Sequence, residues 1–251
     1  MAPWIFLWDL WLKAKTNEGK LGLLNRRNDY LRLAGKPTLF TLHSQLNALL
    51  AEAQQAWGSY DYGEGYFYQS FSRVGVSGLR QTEARIESME LKRHLKGQRI
   101  LEIGCNSGFI SLALAEVIAS SQAFDINPHL IQIADTVRKH LEISNVSFST
   151  SAFETFAGTG PYDAVLSFAN HATYDGNTHQ NLKAFFERCH TLLKPGGLLL
   201  FESHPPELEN ARALEEVKKI MTESFKIESE KMLSTGSYAD RRRTFIVARQ
   251  D

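Results

Sequence analysis

From Thr82 to the end of the chain, short apolar segments alternate with segments of helical periodicity. A first helix is predicted at 82–95, with Thr82 as its N-cap. Strands are then predicted at 99–103, 122–125, 146–150, 164–168 and 198–202, with helices at 110–119, 130–141, 181–193 and 207–221. Such alternation predicts right-handed βαβ units around a mainly parallel sheet. Two last strands, at 225–233 and 243–249, have no helix between them and should form an antiparallel pair.

The first third of the chain has a different pattern. Residues 1–56 read as helical, with a break at Gly35-Lys36-Pro37. Residues 57–80 interleave aromatic residues with glycines, which is typical of an ordered loop that covers a surface. We therefore divide the chain into a cover segment at 1–81 and an α/β domain at 82–251.

Three tryptophans stand at helical spacing near the N-terminus, at Trp4, Trp8 and Trp11. Two interpretations are open. The segment packs on its own domain or a partner subunit, or it contacts a membrane surface, where tryptophan is favoured. The segment has no basic n-region and no small-residue cleavage site, which disfavours a signal peptide. No apolar run reaches the roughly 20 residues of a spanning helix.

The charge balance limits the classes of partner. Lysine plus arginine and aspartate plus glutamate number 28 each, so the net charge is zero. That balance disfavours a protein that holds nucleic acid through charge, although Arg241-Arg242-Arg243 forms a local basic run. This run is a solvated strand end or a contact for a phosphorylated or acidic substrate. The two cysteines, Cys105 and Cys189, make neither a disulfide framework nor a metal site, so no metal is predicted and a reduced, cytoplasmic setting fits.

The strand at 99–103 leads through a glycine-containing turn into a helix. Gly104 and Gly108 make room for a ligand beside the backbone, and the helix N-terminus favours negative charge. Asp125 ends the next strand, 21 positions after Gly104, where a carboxylate can accept both hydroxyls of a ribose. The alternative is a loop or helix-capping aspartate. The turn lacks the later glycine of dinucleotide sites, which disfavours a nicotinamide-dependent enzyme.

These features resemble the class I S-adenosylmethionine-dependent methyltransferases over residues 82–249. The motifs are Leu101-Glu-Ile-Gly-Cys-Asn-Ser-Gly, Phe124-Asp-Ile-Asn-Pro, Tyr162-Asp-Ala-Val-Leu-Ser and Leu193-Lys-Pro-Gly-Gly-Leu-Leu-Leu. The resemblance implies a doubly wound, seven-stranded Rossmann-like fold, with the turn against the methionine part of the cofactor. The implied cofactor-binding residues of this domain are Glu102, Gly104, Cys105, Asn106, Gly108, Asp125, Ile126, Ser151, Ala152, Phe153 and Phe168. Two positions depart from the family pattern. Asn106 stands where the family often has glycine, and Ser151 stands where it often has aspartate.

The aromatic segment carries a second resemblance. Phe67-Tyr-Gln-Ser-Phe and Thr82-Glu-Ala-Arg are similar to the segment before the glycine turn in two groups of methyltransferases. One group caps bacterial polysaccharide chains, and the other modifies the tRNA wobble uridine. The resemblance implies that Tyr68 and Arg85 fold over the cofactor, and an arginine fork can hold its carboxylate bidentately. The alternatives are a solvent-facing Arg85 and a Tyr68 that only packs the loop.

Three candidate bases stand at or just after the ends of the fourth and fifth predicted strands, namely His171, Glu202 and His204. Tyr174 and His179 lie in the same region. Ligands bind at the carboxyl ends of strands in open α/β sheets, and a neutral histidine can accept a proton. Alternatively, His171 packs beside the cofactor. Alignment alone accelerates methyl transfer strongly, so a base is needed only when the acceptor must lose a proton.

The resemblance therefore implies an S-adenosylmethionine-dependent enzyme. The predicted acceptor is an oxygen of a small molecule or glycan. Two alternatives remain, a tRNA-modifying transferase and a cofactor-binding protein without turnover. Composition and motifs leave the oligomeric state and the acceptor open.

Overall fold

The computed structural model describes residues 16–57, 65–172, 180–204, 207–208, 210–237 and 240–251. The tryptophans at positions 4, 8 and 11 lie outside this range. Two long helices come first, α1 (Asn17–Leu33) and α2 (Pro37–Ala56), and the predicted break separates them. The later helices of the described chain are α3 (Thr82–Ser88), α4 (Leu91–His94), α5 (Phe109–Leu114), α6 (Pro128–His140), α7 (Leu182–Leu192) and α8 (Ala211–Met221).

A seven-stranded sheet organises the described residues. Its strands are β1 (Arg99–Ile103), β2 (Ser120–Asp125), β3 (Val146–Thr150), β4 (Tyr162–Phe168), β5 (Leu193–Glu202), β6 (Phe225–Met232) and β7 (Thr244–Gln250). The spatial order is β3-β2-β1-β4-β5-β7-β6. The first five strands pair in parallel, and β7 runs antiparallel to both β5 and β6. The predicted fold class and the terminal antiparallel pair are confirmed.

Helices cover both faces of the sheet because successive strand residues point to opposite sides. In β4, Ala164 and Leu166 join the cluster under α2, α5 and α6, whereas Val165 joins the cluster under α7 and α8. Leu46 of α2 belongs to the first of these clusters, together with Val137 of α6. The described part of the cover segment therefore shares a hydrophobic core with the sheet.

Within the predicted loop at 57–80, residues 65–80 are described and form an ordered loop, whereas 58–64 lie outside the described residues. Tyr66, Phe67 and Phe71 are buried in it. The loop doubles back on itself, since the backbone N–H of Arg80 donates to the carbonyl of Tyr68 at 2.8 Å. Its aromatic residues fill the space between the N-terminal helices and α5.

The predicted helix at 82–95 is wrong in two respects. Thr82 is the first helical residue and Gln81 is the N-cap, without a side-chain capping bond. The segment is also two helices, because Glu90 adopts a left-handed conformation with φ of 54°. Met89 and Leu91 would face opposite sides of one continuous helix, and the break allows both to be fully buried.

Other predicted ends shift by a few residues. The last two helices of the parallel region begin after asparagine caps, at Asn181 and Asn210, whose side chains accept backbone N–H groups. Strand β5 extends back to Leu193 through the Lys-Pro-Gly-Gly stretch. Within the described residues, no helix is both long and apolar enough to cross a membrane.

Candidate functional site

A cleft lies at the carboxyl ends of the parallel strands. About 1020 Å³ of empty space lies in it, a volume that includes open solvent. It sits where the strand order reverses, between β1 and β4, which is the usual ligand position in open α/β sheets. Its lining residues are Tyr68, Gln69, Arg80, Arg85, Glu102, Ile103, Gly104, Asn106, Ile110, Phe124, Asp125, Ile126, Ser151, Phe153, Glu154, Phe168, Ala169, Asn170, Phe185 and His204.

Most of the predicted cofactor residues line this cleft. Three of them do not, namely Cys105, Gly108 and Ala152. Cys105 is fully buried under the turn, and Gly108 packs against Phe148. These two residues therefore belong to the turn but lie on its side away from the cleft. Phe153 and Ser151 reach the cleft at the end of β3, on either side of Ala152.

The turn after β1 depends on three left-handed backbone conformations. Gly104, Asn106 and Gly108 have φ of 61°, 53° and 71°. Asparagine is among the few residues that adopt this region readily, because its short side chain bonds locally. Here the Asn106 Oδ1 accepts the backbone N–H of Ser107 at 2.8 Å. This explains how asparagine occupies a position that is often glycine.

Gly108 is required for a second reason. A Cβ at this position would lie 2.4 Å from the Phe148 ring. Gly196 has a similar φ of 72°, but a Cβ there would meet nothing within 4 Å. We expect Gly108→Ala to destabilise the protein by about 1–3 kcal/mol more than Gly196→Ala, because only the first adds an overpacking clash to the backbone strain. Urea unfolding of both variants measures the difference, and equal losses would contradict it.

Asp125 ends β2 beside this turn. Its Oδ2 accepts the backbone N–H of Asn106 at 2.8 Å, and its Oδ1 accepts that of Asn127 at 3.0 Å. The carboxylate thus joins the turn to the start of α6 while lining the cleft. The turn and the acid point into the same space, which the predicted ribose interaction requires.

The cover segment clamps the turn through Gln69, a residue that the sequence analysis did not single out. Its Oε1 accepts the backbone N–H of Phe109 at 3.2 Å, and its Nε2 donates to the carbonyl of Cys105 at 3.4 Å. The amide therefore satisfies a backbone N–H at the start of α5 and also contacts the turn. Gln69 lies within the aromatic motif, but nothing local to the sequence marks this bond.

Arg85 is buried and faces the cleft, so the solvent-facing alternative is wrong. Its Nη2 donates to Glu202 Oε2 at 2.6 Å, and its guanidinium lies over the Phe168 ring at 5.6 Å. The Nε is buried and has no hydrogen-bond partner among the described residues. Arg85 therefore lines the cleft and carries one donor that no described group accepts.

Glu202 lies at the centre of a buried arginine cluster. Arg80 donates to its Oε1 at 2.6 Å, opposite Arg85, and Arg243 lies 3.3 Å from the same oxygen. Burial alone would raise the pKa of Glu202, but the three guanidinium groups lower it to about 2. This pKa makes a poor proton acceptor, and Glu202 is absent from the lining of the cleft. The geometry therefore disfavours the predicted catalytic role for Glu202.

Arg80 ties the cover segment to the C-terminal strands and was missed in the sequence. Besides Glu202, its Nε donates to Asp240 Oδ1 at 2.5 Å. Its guanidinium also lies 5.8 Å from the Tyr68 ring centre. Tyr68 lines the cleft as predicted and is held there in part by Arg80. Nothing local to the sequence marks this role, because its two carboxylate partners, Glu202 and Asp240, lie more than 120 residues away.

The two histidines are placed differently. His204 lines the cleft, whereas the fully buried His171 does not. Glu207 connects them, since its Oε1 lies 3.3 Å from His171 Nε2 and its Oε2 accepts the backbone N–H of His204 at 2.6 Å. His171 therefore braces the loop that carries His204. Tyr174 and His179 lie outside the described residues.

Glu102 lines the inner wall of the cleft. Its Oε2 accepts the Ser111 hydroxyl at 2.5 Å. Burial raises the pKa of Glu102 to about 7, although the bond from Ser111 acts in the opposite direction. The group is therefore poised to change its charge near neutral pH. Among the described residues, no group of three or more His, Cys, Asp and Glu side chains is arranged to hold a metal ion.

Comparison with known proteins points to one class. A family model described as a methyltransferase domain matches residues 94–242. The ubiquinone biosynthesis O-methyltransferase of Xanthomonas oryzae pv. oryzae (strain PXO99A) is 31% identical over 125 residues, covering 47% of this chain and 48% of that protein. The protein of the same name from Paraburkholderia xenovorans is 28% identical over 123 residues, covering 47% and 50%. The chain thus spans about half the length of the curated relatives it matches.

Solved structures share the architecture. The N-methyltransferase NodS from Bradyrhizobium japonicum WM9, crystallised with S-adenosyl-L-homocysteine, has a TM-score of 0.52 at 20% identity and covers 66% of this chain and 87% of its own. A methyltransferase from Pyrococcus furiosus has a TM-score of 0.52 at 15% identity, covering 67% and 82%. At these identities the likeness concerns the fold alone.

Proposed function

This chain belongs to the class I methyltransferase family, and we propose that it transfers a methyl group from S-adenosylmethionine to an oxygen of a small-molecule or glycan acceptor. The cofactor of the family is S-adenosylmethionine, as the resemblance implies. One observation carries the proposal, namely that Asp125, the turn at Gly104 and Arg85 converge on one cleft. The named relatives are O-methyltransferases, which supports an oxygen acceptor.

The residues present fit this cofactor. Among the described residues the buried Nε of Arg85 has no partner, so the guanidinium has a donor to offer a carboxylate. Gly104 is exposed to the cleft, so a ligand can approach its backbone closely. Asp125 offers a charged acceptor at the end of β2, and aromatic rings at Phe124 and Phe153 border the neighbouring wall. We therefore assign the carboxylate to Arg85, the ribose to Asp125 and the adenine to the end of β3.

The chain's own contribution to the reaction is mainly alignment. When bound, the cofactor supplies an activated methyl group on a sulfonium. Gln69 and Asp125 hold the turn from two sides, so the cofactor-facing backbone is rigid before binding. Preorganised positioning of this kind accounts for much of the acceleration in displacement reactions.

His204 is the base that the geometry supports best. It lines the cleft, and Glu207 fixes its backbone. A neutral imidazole there can take a proton from a hydroxyl acceptor as the new bond forms. His171 acts through Glu207 in this proposal and touches neither cofactor nor acceptor.

The proposal is tested by methyl transfer and by calorimetry. We expect label from S-[methyl-³H]adenosylmethionine to appear on a member of a panel of phenols, sugars, sugar phosphates and carboxylates. Folded protein that binds no S-adenosylhomocysteine would end the proposal. Amines and tRNA are assayed beside this panel. Cofactor binding without methyl transfer to any of these acceptors would identify a protein that keeps the cofactor site without turnover.

Glu102 should make cofactor binding depend on pH. Its raised pKa means that its contribution to folding stability is full below pH 4.5 and is lost as the pH rises through about 7. The positive charge of S-adenosylmethionine favours the ionised form of Glu102. We therefore expect the affinity for S-adenosylmethionine to increase as the pH rises through about 7 and then to level off. Calorimetry in buffers of different ionisation enthalpy measures the proton released below that pH. In Glu102→Gln the dependence should be flat, and an unchanged slope would assign it to another group.

A cytoplasmic location is proposed together with this activity. Cys105 and Cys189 are both buried free thiols, which suits a reducing compartment.

A further inference from the structure

The outer face of α1 carries an apolar stripe. Leu21, Leu24 and Leu31 are exposed by 38%, 52% and 66%. With the exposed Asn28 they follow each other at three- and four-residue spacing, so they lie along one side of the helix. Among the described residues, the exposed large hydrophobic side chains are these leucines, Tyr30 and Met232. Four of the five therefore lie on α1.

The opposite face of α1 is occupied. Asp29 is buried there and accepts the Tyr66 hydroxyl at 2.6 Å and the Ser77 hydroxyl at 2.6 Å. Arg26 donates to the carbonyl of Gly65 at 3.0 Å. These bonds attach α1 to the loop at 65–80 and fix which way it faces. The leucine stripe therefore points away from the domain.

Positive charge accompanies the stripe. Residues 13–36 contain seven lysines and arginines against two acids, in a chain whose net charge is zero. Lys20 and Arg27 are exposed and flank the leucines on one side of the helix. An apolar helix face bordered by lysine and arginine is the pattern of helices that lie in a membrane interface. A docking surface for a protein would not by itself require this local charge.

The chain just before α1 has matching chemistry. Trp4, Trp8 and Trp11 recur at helical spacing within the fifteen residues before Thr16. Tryptophan favours the boundary between headgroups and hydrocarbon. The two apolar features are adjacent in sequence, and the basic residues lie between and beside them.

We propose that the leucine stripe of α1 docks on the surface of an anionic lipid membrane. The leucines enter the headgroup boundary, and Lys20 and Arg27 attract the anionic headgroups. Because α1 is bonded to the loop that supplies Tyr68, Gln69 and Arg80, docking places the cover of the cleft beside the lipid surface.

Vesicle co-sedimentation of the full chain tests the proposal. We expect binding to an equal mixture of phosphatidylcholine and phosphatidylglycerol, weaker binding to phosphatidylcholine alone, and loss of the difference at high salt. The double variant Leu24→Glu with Leu31→Glu should bind about tenfold or more weakly. Lys20→Glu with Arg27→Glu should weaken binding to anionic vesicles by about fivefold per charge.

Met232→Glu is the matched control. Met232 is 67% exposed, as Leu31 is, but it lies on β6 at the far edge of the sheet. The Met232→Glu variant should bind vesicles as tightly as the parent protein does. Unfolding curves of all variants check that the exposed substitutions leave the fold intact.

Fluorescence adds a second readout. Trp57 is the one tryptophan outside the N-terminal three. In Trp57→Phe the emission reports the N-terminal segment alone, and it should shift to shorter wavelength on addition of anionic vesicles.

Three results would overturn the proposal. The first is a parent protein that binds no vesicles, and the second is a leucine variant that binds as well as the parent. The third is a parent dimer that the leucine variant converts to monomer without any lipid binding, because the occupant would then be a second copy of the chain.

Discussion

Glu202→Gln should lower the free energy of unfolding by about 3–5 kcal/mol, which is the cost of breaking a buried ion pair. The glutamine has the same shape but no charge. Arg80 and Arg85 would keep their buried positions and lose the carboxylate that both contact at 2.6 Å. Asp240 remains beside Arg80, so Arg85 loses more. Because Arg85 also lines the cleft, the affinity for S-adenosylhomocysteine should fall as well.

Glu228→Gln provides the control for this variant. Glu228 pairs with Arg249 at 2.5 Å on the exposed edge of the sheet. Exposed pairs contribute about 0–1 kcal/mol, so this variant should be nearly as stable as the parent. Urea unfolding at neutral pH measures both. Equal losses would mean that burial adds nothing to the Glu202 cluster.

The pH dependence gives the Glu202 prediction a definite sign. The pKa of Glu202 is lowered from 4.5 to about 2, so its stabilising contribution is present above pH 4.5 and is lost as the pH falls toward 2. The stability difference between the parent and Glu202→Gln should therefore shrink on acidification. A difference that stays constant down to about pH 2 would point to altered packing and not to charge.

Asp125→Ala should weaken binding of S-adenosylhomocysteine by roughly 10- to 150-fold, which corresponds to the loss of about 1.5–3 kcal/mol from hydrogen bonds to a charged group. The carboxylate has two functions in the proposed site. It holds the backbone of Asn106 and Asn127, and it is assigned to the ribose hydroxyls. Calorimetry measures the affinity. Asp163→Asn is the control, because Asp163 pairs with Lys194 and lies outside the cleft.

The two functions of Asp125 can be separated with a second ligand. The 2′-deoxy analogue of S-adenosylhomocysteine lacks one of the hydroxyls assigned to Asp125. If the carboxylate binds the ribose, the parent should prefer the natural ligand, and Asp125→Ala should lose that preference. If the variant weakens both ligands equally and keeps the preference, Asp125 acts only by holding the turn.

Local chemistry explains why some strands and the meeting of Gly104 with Asp125 are predicted correctly from the sequence. The strands at 99–103 and 146–150 are found at the predicted residues, because the apolar run of the first and the apolar–polar alternation of the second are local signals. The meeting of Gly104 and Asp125 also follows from local order, since the carboxyl ends of β1 and β2 share one edge of a parallel sheet. The family motifs coincide with those same places.

The predictions that the structure corrects or disfavours depend on contacts between distant residues. The break at Glu90 allows both Met89 and Leu91 to be buried. Helical periodicity alone does not predict on which side of each residue the core lies. Glu202 was a candidate base because it ends a strand near the cleft, and the structure disfavours that role without testing it. Only the approach of Arg80 and Arg85, from more than 110 residues earlier, reveals it as the centre of an ion cluster.

The sequence by itself therefore determined the sheet, its strand directions and the meeting of Gly104 and Asp125 at one cleft. It could do so because periodicity and turn chemistry act over a few residues. Only the tertiary structure decided which charges are neutralised, which histidine reaches the cleft and which face of α1 is left outward. Those outcomes are set by desolvation and by contacts between segments far apart in the chain, and no local pattern encodes them.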